Sequence, residues 1–204
     1  MEDLHRRVER GYDAIAGRYA DVARAKRGPE TYFRSFLERI VERLPQGGCV
    51  LDLGCGAGLV TAELVPRARV IALDRSLVQL SLARENAPGA ALIRADIAEV
   101  AFEPGSFDAV VALWTLIHVR RDRHGSVMAR IHDWLSPGGL FAGTLGTSDL
   151  PVGTEDDFFG APMSWSHFDA QTNRRLLRNV GFEIVQADEV QDEGETALWV
   201  IATA

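Results

Sequence analysis

Three closely spaced glycines suggest a ligand-binding loop. The stretch VLDLGCGAGL, residues 50–59, contains Gly54, Gly56 and Gly58, and Asp52 precedes the first of them by two positions. In a strand–turn–helix unit such glycines allow a sharp turn and a close approach of the backbone to a ligand, and the following helix N-terminus adds a positive field. The dinucleotide fingerprint reads GxGxxG, whereas this loop reads GxGxG, so the spacing alone leaves the nucleotide open.

Two further aspartates, Asp74 and Asp96, each follow a predicted strand. Each aspartate has a structural alternative: Asp52 could cap the loop, Asp74 could belong to a helix cap, and Asp96 could begin a turn. Three aspartates at successive strand ends of one parallel sheet nevertheless meet at the edge where such sheets bind ligands. Together they favour a cofactor site.

The spacing of apolar residues predicts the elements that position these groups. Helices are expected over residues 4–22 and 31–44. Strands 50–53, 70–73, 91–94, 107–113 and 140–145 then alternate with helices that start near Leu59 and cover 76–86 and 123–135. The sequence SPGG predicts a turn before the fifth strand, and Asp169 can cap a helix that runs to Asn179. FEIVQADEV and TALWVIATA, joined by QDEGE, read as an antiparallel hairpin.

Alternating strands and helices indicate a parallel sheet with crossover helices. We expect one α/β domain with a Rossmann-like, doubly wound sheet of seven strands, the last antiparallel, and helices on both faces. The predicted parts are an N-terminal helical cap over residues 1–45, a core over 49–145, a lid loop over 146–168, and a closing helix and hairpin over 169–204.

Composition narrows the possible partners. The chain of 204 residues has a net charge of −7, which makes nucleic acid an unfavourable partner. Its longest apolar run, near AVVALW, is shorter than the roughly 18 residues that span a bilayer, so we expect a cytoplasmic protein without membrane contact. Cys49 and Cys55 lie on a predicted extended segment and are expected not to pair, and their spacing predicts no metal site.

Several ordered motifs resemble those of the class I S-adenosylmethionine-dependent methyltransferases that act on small molecules. They are DLGCGAG, ALDRS, ADIAEVAF, FDAVVALWTLIHV and LSPGGLF, together with the closing hairpin. GYDAIAGRYAD resembles the tyrosine-bearing N-terminal helix of many members. The resemblance implies S-adenosylmethionine as cofactor, S-adenosylhomocysteine as product, a small-molecule acceptor, and a monomer or homodimer.

The resemblance also implies a set of cofactor-binding residues. Asp52 and the glycine-loop backbone would hold the methionine part, Asp74 the ribose, Asp96 and Ile97 the adenine, and Trp114 would lie near the sulfonium. The full implied set is Tyr12, Tyr19, Asp52, Gly54, Cys55, Gly56, Gly58, Asp74, Arg75, Asp96, Ile97, Leu113 and Trp114.

Two histidines are candidate general bases. Methyl transfer depends mainly on positioning, so a base is optional. His118 follows the fourth predicted strand and could instead tie down the turn there, and His167 lies in the predicted lid. The sequence ALWTLIHV lacks the NPPY-type motif of family members that methylate base amines, which further disfavours nucleic acid.

The segment after the fifth predicted strand is long for a connection, which is typical of a lid. Phe158, Phe159 and Trp165 are predicted to contact substrate, and glycines at 146, 153 and 160 would let the loop move. The acids at 155–157 beside these aromatic residues suit a cationic or polar aromatic substrate. Alternatively, the aromatic residues pack on the N-terminal cap and the acids are solvated. Three other functions remain open: an enzyme of this fold that catalyses a cyclisation, a non-catalytic cofactor-binding protein, and an NADP-dependent reductase, which the glycine spacing disfavours.

Overall fold

The computed structural model describes residues 4–204, so residues 1–3 of the predicted cap lie outside it. The helices are α1 Leu4–Ala25, α2 Tyr32–Arg43, α3 Thr61–Leu64, α4 Leu77–Asn86, α5 His124–Trp134 and α6 Ala170–Val180. The strands are β1 Cys49–Leu53, β2 Arg69–Asp74, β3 Ala91–Arg94, β4 Phe107–Ala112, β5 Leu135–Leu145, β6 Leu150–Phe158, β7 Ala161–His167, β8 Glu183–Asp192 and β9 Glu195–Thr203.

Within residues 4–204, seven strands form the main sheet in the order β3-β2-β1-β4-β5-β9-β8. The pairs β2–β3, β1–β2, β1–β4 and β4–β5 are parallel, whereas β9 runs antiparallel to both β5 and β8. The predicted fold, including the antiparallel last strand, is therefore confirmed. The carboxyl ends of β1 to β4 lie along one edge.

Both faces of the main sheet are buried under helices. Successive side chains of a strand point to opposite faces, and the neighbours Val50 and Leu51 on β1 belong to two different core clusters. Leu51 packs in the cluster that includes Val127 of α5 and Leu177 of α6, and Val50 packs in the cluster that includes Ile40 of α2. This double coverage explains why the central strands read as nearly continuous apolar runs.

The predicted lid loop is wrong in its local structure, because residues 150–167 form an antiparallel hairpin of β6 and β7. Leu150 pairs with His167 and Phe158 pairs with Ala161 across the hairpin. The polar sequence Thr154–Asp157 predicts a loop. In the structure these residues belong to β6, where their side chains are exposed and can therefore be polar. Residues 161, 163 and 165 of β7, by contrast, carry the apolar alternation of a strand.

The predicted SPGG turn is also wrong, because β5 starts at Leu135 and includes these residues. Their pairing with β4 is irregular, with a register shift between Phe107 and Ala109. Gly138 has a positive φ of 76°, and its N–H donates to the carbonyl of Ala204 at 2.9 Å. The SPGG residues therefore form an irregular part of β5 that is hydrogen-bonded to Ala204.

Helix α1 packs on β7 and lies close to α4. The contact with the hairpin is tight: a Cβ atom added at Gly11 would stand 2.5 Å from the carbonyl oxygen of Pro162. Ile15, Met163 and Ala161 form a small buried cluster between the two elements. No helix among residues 4–204 is long and apolar enough to cross a membrane.

Candidate active site

The glycines of the loop after β1 serve different purposes. Gly54 has a φ of 69°, and a Cβ atom there would collide with the hydroxyl of Thr115. A Cβ atom at Gly58 would stand 2.8 Å from the backbone of Ala83 in α4, so this glycine permits helix packing. At Gly56 the nearest atom to an added Cβ is the Gln79 side-chain oxygen at 3.8 Å. Gly56 therefore borders open space, and Gly54 and Gly58 keep the loop close to its neighbours.

Asp52 is a buried carboxyl group below this loop. One of its oxygens accepts a hydrogen bond from the Thr61 hydroxyl at 2.6 Å. Burial raises the pKa of Asp52 to about 6, although the bond from Thr61 and the positive charge of Arg27 oppose the shift. Its second oxygen is available to a ligand, because a carboxylate has about four acceptor positions.

Asp74 joins the glycine loop to the start of α4. Its two oxygens accept from the backbone N–H groups of Gly56 and Ser76, each at 2.9 Å. Burial raises the pKa of Asp74, and these backbone bonds partly offset that effect. The helix cap itself is Ser76, whose hydroxyl accepts from the Gln79 N–H at 3.0 Å. Asp74 therefore orders the loop as well as bordering the cavity.

Asp96, at the end of β3, lies in a network of charges. Its side chain pairs with Arg75 at 2.8 Å and with His5 at 3.2 Å. Burial opposes ionisation, but the hydrogen bonds from His5 and the Ala98 backbone and the charge of Arg75 outweigh it and lower the pKa of Asp96 to about 2. Glu9 on α1 pairs with Arg75 at 3.2 Å and with Arg94 at 2.9 Å. These pairs fasten α1 to the ends of β2 and β3.

These elements enclose a cavity with about 1120 Å³ of empty space, part of which is open to solvent. Thirteen of the predicted site residues line it, namely Tyr12, Tyr19, Asp52, Gly54, Cys55, Gly56, Asp74, Arg75, Asp96, Ile97, Leu113, Trp114 and His118. Five predicted residues do not, namely Gly58, Phe158, Phe159, Trp165 and His167. The glycine loop and the three aspartates thus converge as the sequence predicted.

Sequence reasoning missed much of the cavity wall. Residues not predicted there include His5, Val8, Glu9, Ala20, Ala23, Arg27, Ser76, Gln79 and Thr115. A signal for the α1 wall was present, because residues 8, 12, 19 and 23 lie on one helical face. The others come from contacts between residues far apart in sequence.

His118 lies in the cavity wall with both ring nitrogens engaged. Its Nδ1 is 2.8 Å from the Ser164 carbonyl, and because a carbonyl only accepts, Nδ1 must carry the proton. Nε2 then accepts from the Tyr12 hydroxyl at 2.9 Å. Burial lowers the pKa of His118 to about 4, which the bond to Ser164 offsets only in part. The imidazole is therefore neutral at pH 7, with its basic nitrogen directed at a phenol.

The remaining residues that were predicted to face the methyl acceptor do not line this cavity. His167 donates through Nδ1 to the Ser148 carbonyl at 2.8 Å, a bond that closes the base of the hairpin. The Trp165 ring lies 6.1 Å from that of His118 and 5.2 Å from that of Phe158. These aromatic side chains pack on α1, as the alternative interpretation had it. Phe159 lines a second, smaller cavity.

The cysteines and other potential metal ligands show no metal-binding arrangement in this part of the chain. Cys49 and Cys55 are free thiols. Across residues 4–204, no group of three or more His, Cys, Asp or Glu side chains is placed to hold a metal ion.

Part of the chain matches a known family model. A family model described as a methyltransferase domain matches residues 50–139, a range that contains the glycine loop, Asp74 and Asp96. Over these residues the chain is similar to methyltransferase domains. The methyltransferase match covers the strands whose ends form the cavity, and α1 lies outside it.

Proteins similar to this chain differ in length and in the reactions that their names give. The trans-aconitate 2-methyltransferase of Paracidovorax citrulli is 41% identical over 97 residues, 46% of this chain and 36% of that protein. The chain covers 36% to 54% of the length of the first curated relatives it matches. A DhpI complex with S-adenosylhomocysteine superposes with a TM-score of 0.76 at 22% identity, covering 99% of this chain and 97% of that one. The cyclase SpnF superposes with a TM-score of 0.69 at 20% identity, covering 89% and 73%. At these identities the structures show the fold of the chain and not its reaction.

Proposed function

We propose that this protein transfers a methyl group from S-adenosylmethionine to a small-molecule acceptor. The observation that carries the proposal is the cavity at the carboxyl ends of β1 to β4, where the glycine loop and three aspartates meet under α1. Each strand end contributes a group suited to a different part of one elongated nucleoside ligand.

The cavity has the features such a cofactor needs. Gln79 lines it, and its side-chain oxygen has no hydrogen-bond partner within residues 4–204. The space beside Gly56 would be filled by any larger residue. An unsatisfied buried acceptor next to an open cradle is costly without a ligand, so both features fit a bound molecule that donates hydrogen bonds.

Different residues of the cavity wall suit different parts of the cofactor. Asp52 suits the ammonium of the methionine part, and Arg27, which also lines the cavity, suits its carboxylate. Asp74 retains free lone pairs for the ribose hydroxyls. Asp96 and Ile97 stand at the adenine end, where Arg75 is already neutralised by Asp96 and Glu9. A 2′-phosphate would meet three carboxylates here, which argues against NADP.

Tyr12 and His118 supply a path for the acceptor's proton. When bound, the cofactor would supply a methyl group attached to a positively charged sulfur. Attack by a lone pair of the acceptor on this methyl group would break the carbon–sulfur bond and leave a neutral thioether. An acceptor hydroxyl or amine can pass its proton to the Tyr12 oxygen while Tyr12 passes its own to Nε2 of His118. The charge lost from sulfur then reappears on the imidazole, so the buried site keeps its net charge.

A small acceptor fits this site better than a nucleic acid. The chain carries a net charge of −7, and α1 covers the cavity with its own side chains. The free thiols of Cys49 and Cys55 suit the reducing conditions of the cytoplasm, which is the proposed location.

Two measurements test the proposal. Calorimetry should detect binding of S-adenosylhomocysteine and none of NADPH, and the reverse result would overturn it. S-adenosylmethionine labelled in its methyl group should then label a compound in a pool of small metabolites. A product without the label would indicate cyclisation or another reaction, and cofactor binding without any product would indicate a non-catalytic binding protein.

A further inference from the structure

A second cavity shares a wall with the first. It contains about 510 Å³ of empty space, part of it open to solvent, between the C-terminal part of α1, the tip of the β6–β7 hairpin and the β8–β9 turn. Tyr19, Ala23, Arg27 and Trp114 line both cavities. The two cavities therefore adjoin, and a ligand in the second would border the cofactor site.

The walls of the second cavity are rich in aromatic rings. Trp114 and Trp199 stand edge to face with centroids 5.6 Å apart, and Tyr19 and Phe159 do so at 5.9 Å. Phe33 adds a further ring, 6.2 Å from that of Trp199. Rings in such arrangements offer faces and edges to a flat aromatic molecule.

The charged side chains of this cavity are largely occupied by partners in the protein. Asp192 accepts from the backbone N–H groups of Tyr32 and Phe33 at 3.1 and 2.8 Å. Glu195 pairs with Lys26 at 2.6 Å. These carboxylates anchor α1 and α2 to the β8–β9 turn, so they do not by themselves indicate a cationic ligand.

Two buried donor atoms in the wall have no such partner within residues 4–204, namely Nη1 of Arg27, which also lines the first cavity, and the indole nitrogen of Trp199. Trp199 is 1% exposed, and within residues 4–204 its indole Nε1 has no hydrogen-bond acceptor. Indole N–H groups donate only, and leaving one unsatisfied costs free energy. A ligand that brings an acceptor atom to this wall would remove that cost.

Trp114 connects this cavity to the reaction centre. It follows β4 directly and has a positive φ of 58°, which is strained for a bulky residue. Its N–H donates to the Thr144 hydroxyl at 2.6 Å, which holds the strained backbone in place. The side chain of Trp114 thus borders both cavities from a fixed backbone position, and strain of this kind is often found at functional sites.

We propose that the second cavity is the acceptor subsite, and that it takes a flat aromatic or heteroaromatic compound whose oxygen or ring nitrogen accepts a hydrogen bond from Trp199. This inference rests on the proposed function, because it assumes that a methyl group is presented in the first cavity, where the reacting atom of the acceptor would extend past Trp114 and Tyr19 to meet it beside Tyr12. It adds the chemical class of the acceptor.

Fluorescence titration in the presence of saturating S-adenosylhomocysteine tests the inference. The flat ligands are 7-hydroxycoumarin and 8-hydroxyquinoline, and the non-planar comparison is trans-4-hydroxycyclohexanecarboxylate. Val22→Trp fills the second cavity from a residue that does not line the first. Trp199→Phe keeps a ring and removes the donor. Val185→Trp adds the same bulk at an exposed position of β8 and serves as the matched control.

We expect the flat ligands to bind the unaltered protein and the non-planar one to bind at least tenfold more weakly. Val22→Trp should weaken flat-ligand binding at least tenfold and Trp199→Phe about fivefold, the equivalent of one hydrogen bond. Val185→Trp should change nothing. Unaltered affinity for S-adenosylhomocysteine in each variant shows that it is folded.

The outcomes separate the two proposals. If the unaltered protein fails to bind S-adenosylhomocysteine, the proposed function is wrong. If it binds that compound but no flat ligand, or if Val22→Trp binds flat ligands as well as Val185→Trp does, the acceptor subsite lies elsewhere.

Discussion

The imidazole ring of His118 joins α1 to β7 through its two hydrogen bonds. His118 receives a hydrogen bond from α1 through Tyr12 and gives one to β7 through the Ser164 carbonyl. Because the carbonyl fixes the proton on Nδ1, the basic nitrogen always faces Tyr12. A residue that the sequence offers only as a candidate base is thus held in one tautomer by the hairpin, and its protonation is coupled to the stability of the fold.

This coupling predicts a pH dependence of stability. The folded pKa of His118 is about 4 against 6.5 for a free histidine, so the unfolded chain takes up the proton first as the pH falls. Stability should therefore be lost between about pH 6.5 and 4. Urea unfolding at pH 7 and pH 5 should show that His118→Asn loses about 2 kcal/mol less than the unaltered protein over this interval.

Two other buried titratable groups, Asp52 and His124, also affect the pH dependence of stability. The raised pKa of Asp52 acts in the opposite direction, but it is common to both proteins and cancels in the comparison. His124, whose pKa burial also lowers, does not line the cavity. His124→Asn should reduce the pH dependence in the same direction and leave S-adenosylhomocysteine affinity unchanged. An identical pH dependence in His118→Asn and the unaltered protein would contradict the assignment.

A second prediction for a single residue concerns Asp74. Removing its carboxylate deletes the bonds to Gly56 and Ser76 and the proposed bonds to the ribose. Asp74→Ala should weaken S-adenosylhomocysteine binding by about 1.5 to 3 kcal/mol in calorimetry. Asp108→Ala is the control, because that carboxylate also accepts a backbone N–H, from Cys49 at 2.8 Å, but lies outside the cavity. Equal losses of affinity in the two variants would assign Asp74 a structural role only.

At the scale of elements, α1 and the β6–β7 hairpin depend on each other. The helix supplies one wall of the cavity, and the hairpin supplies the surface on which that helix rests. Arg7 on α1 extends the contact by donating to the carbonyls of Met163 and Glu155, both at 3.3 Å. The hairpin thus acts on the cavity indirectly, by positioning α1 and His118.

Two glycines of α1 test this dependence. A Cβ atom at Gly11 would press on Pro162 and Met163, whereas one at Gly17 would meet nothing within 4 Å. Gly11→Ala should lower the free energy of unfolding by about 1 to 3 kcal/mol and weaken S-adenosylhomocysteine binding severalfold. Gly17→Ala should stabilise the protein by up to about 1 kcal/mol through helix propensity. Thermal unfolding and calorimetry measure both effects, and a harmless Gly11→Ala would show that α1 is not held by the hairpin.

The elements differ in how well the sequence predicts them. The parallel core could be predicted because its strands are buried on both faces and its helices carry one apolar face, which are local signals. The hairpin could not, because β6 pairs at an exposed edge where Glu155 and Asp156 are as acceptable as apolar residues. Tyr12 and Tyr19 of the α1 wall were predicted, but the contacts that hold α1 over the cavity were not. The contacts of Glu9 with Arg75 and of Tyr12 with His118 join residues 66 and 106 positions apart, and no local pattern encodes them.

For the whole molecule, ligand binding should appear as a rise in the melting temperature. A ligand present at 100 times its Kd stabilises the folded state by about 2.7 kcal/mol. For a chain of this length that corresponds to a rise in Tm of about 5 to 10 °C. S-adenosylhomocysteine should produce this rise in a thermal shift measurement, and NADPH at the same concentration should not. A rise with NADPH alone would exclude the proposed cofactor.

The placement of α1 over the cavity has a consequence for catalytic rate. Part of the cavity is open to solvent, and undocking of α1 from β2, β3 and the hairpin is an event that would widen this opening for product and cofactor. The Glu9 pairs with Arg75 and Arg94 oppose that event, and salt would weaken them because they are partly exposed. Stronger docking would raise affinity and slow product release together, so the contacts of one helix set a compromise between how firmly the protein binds its cofactor and how often it exchanges it.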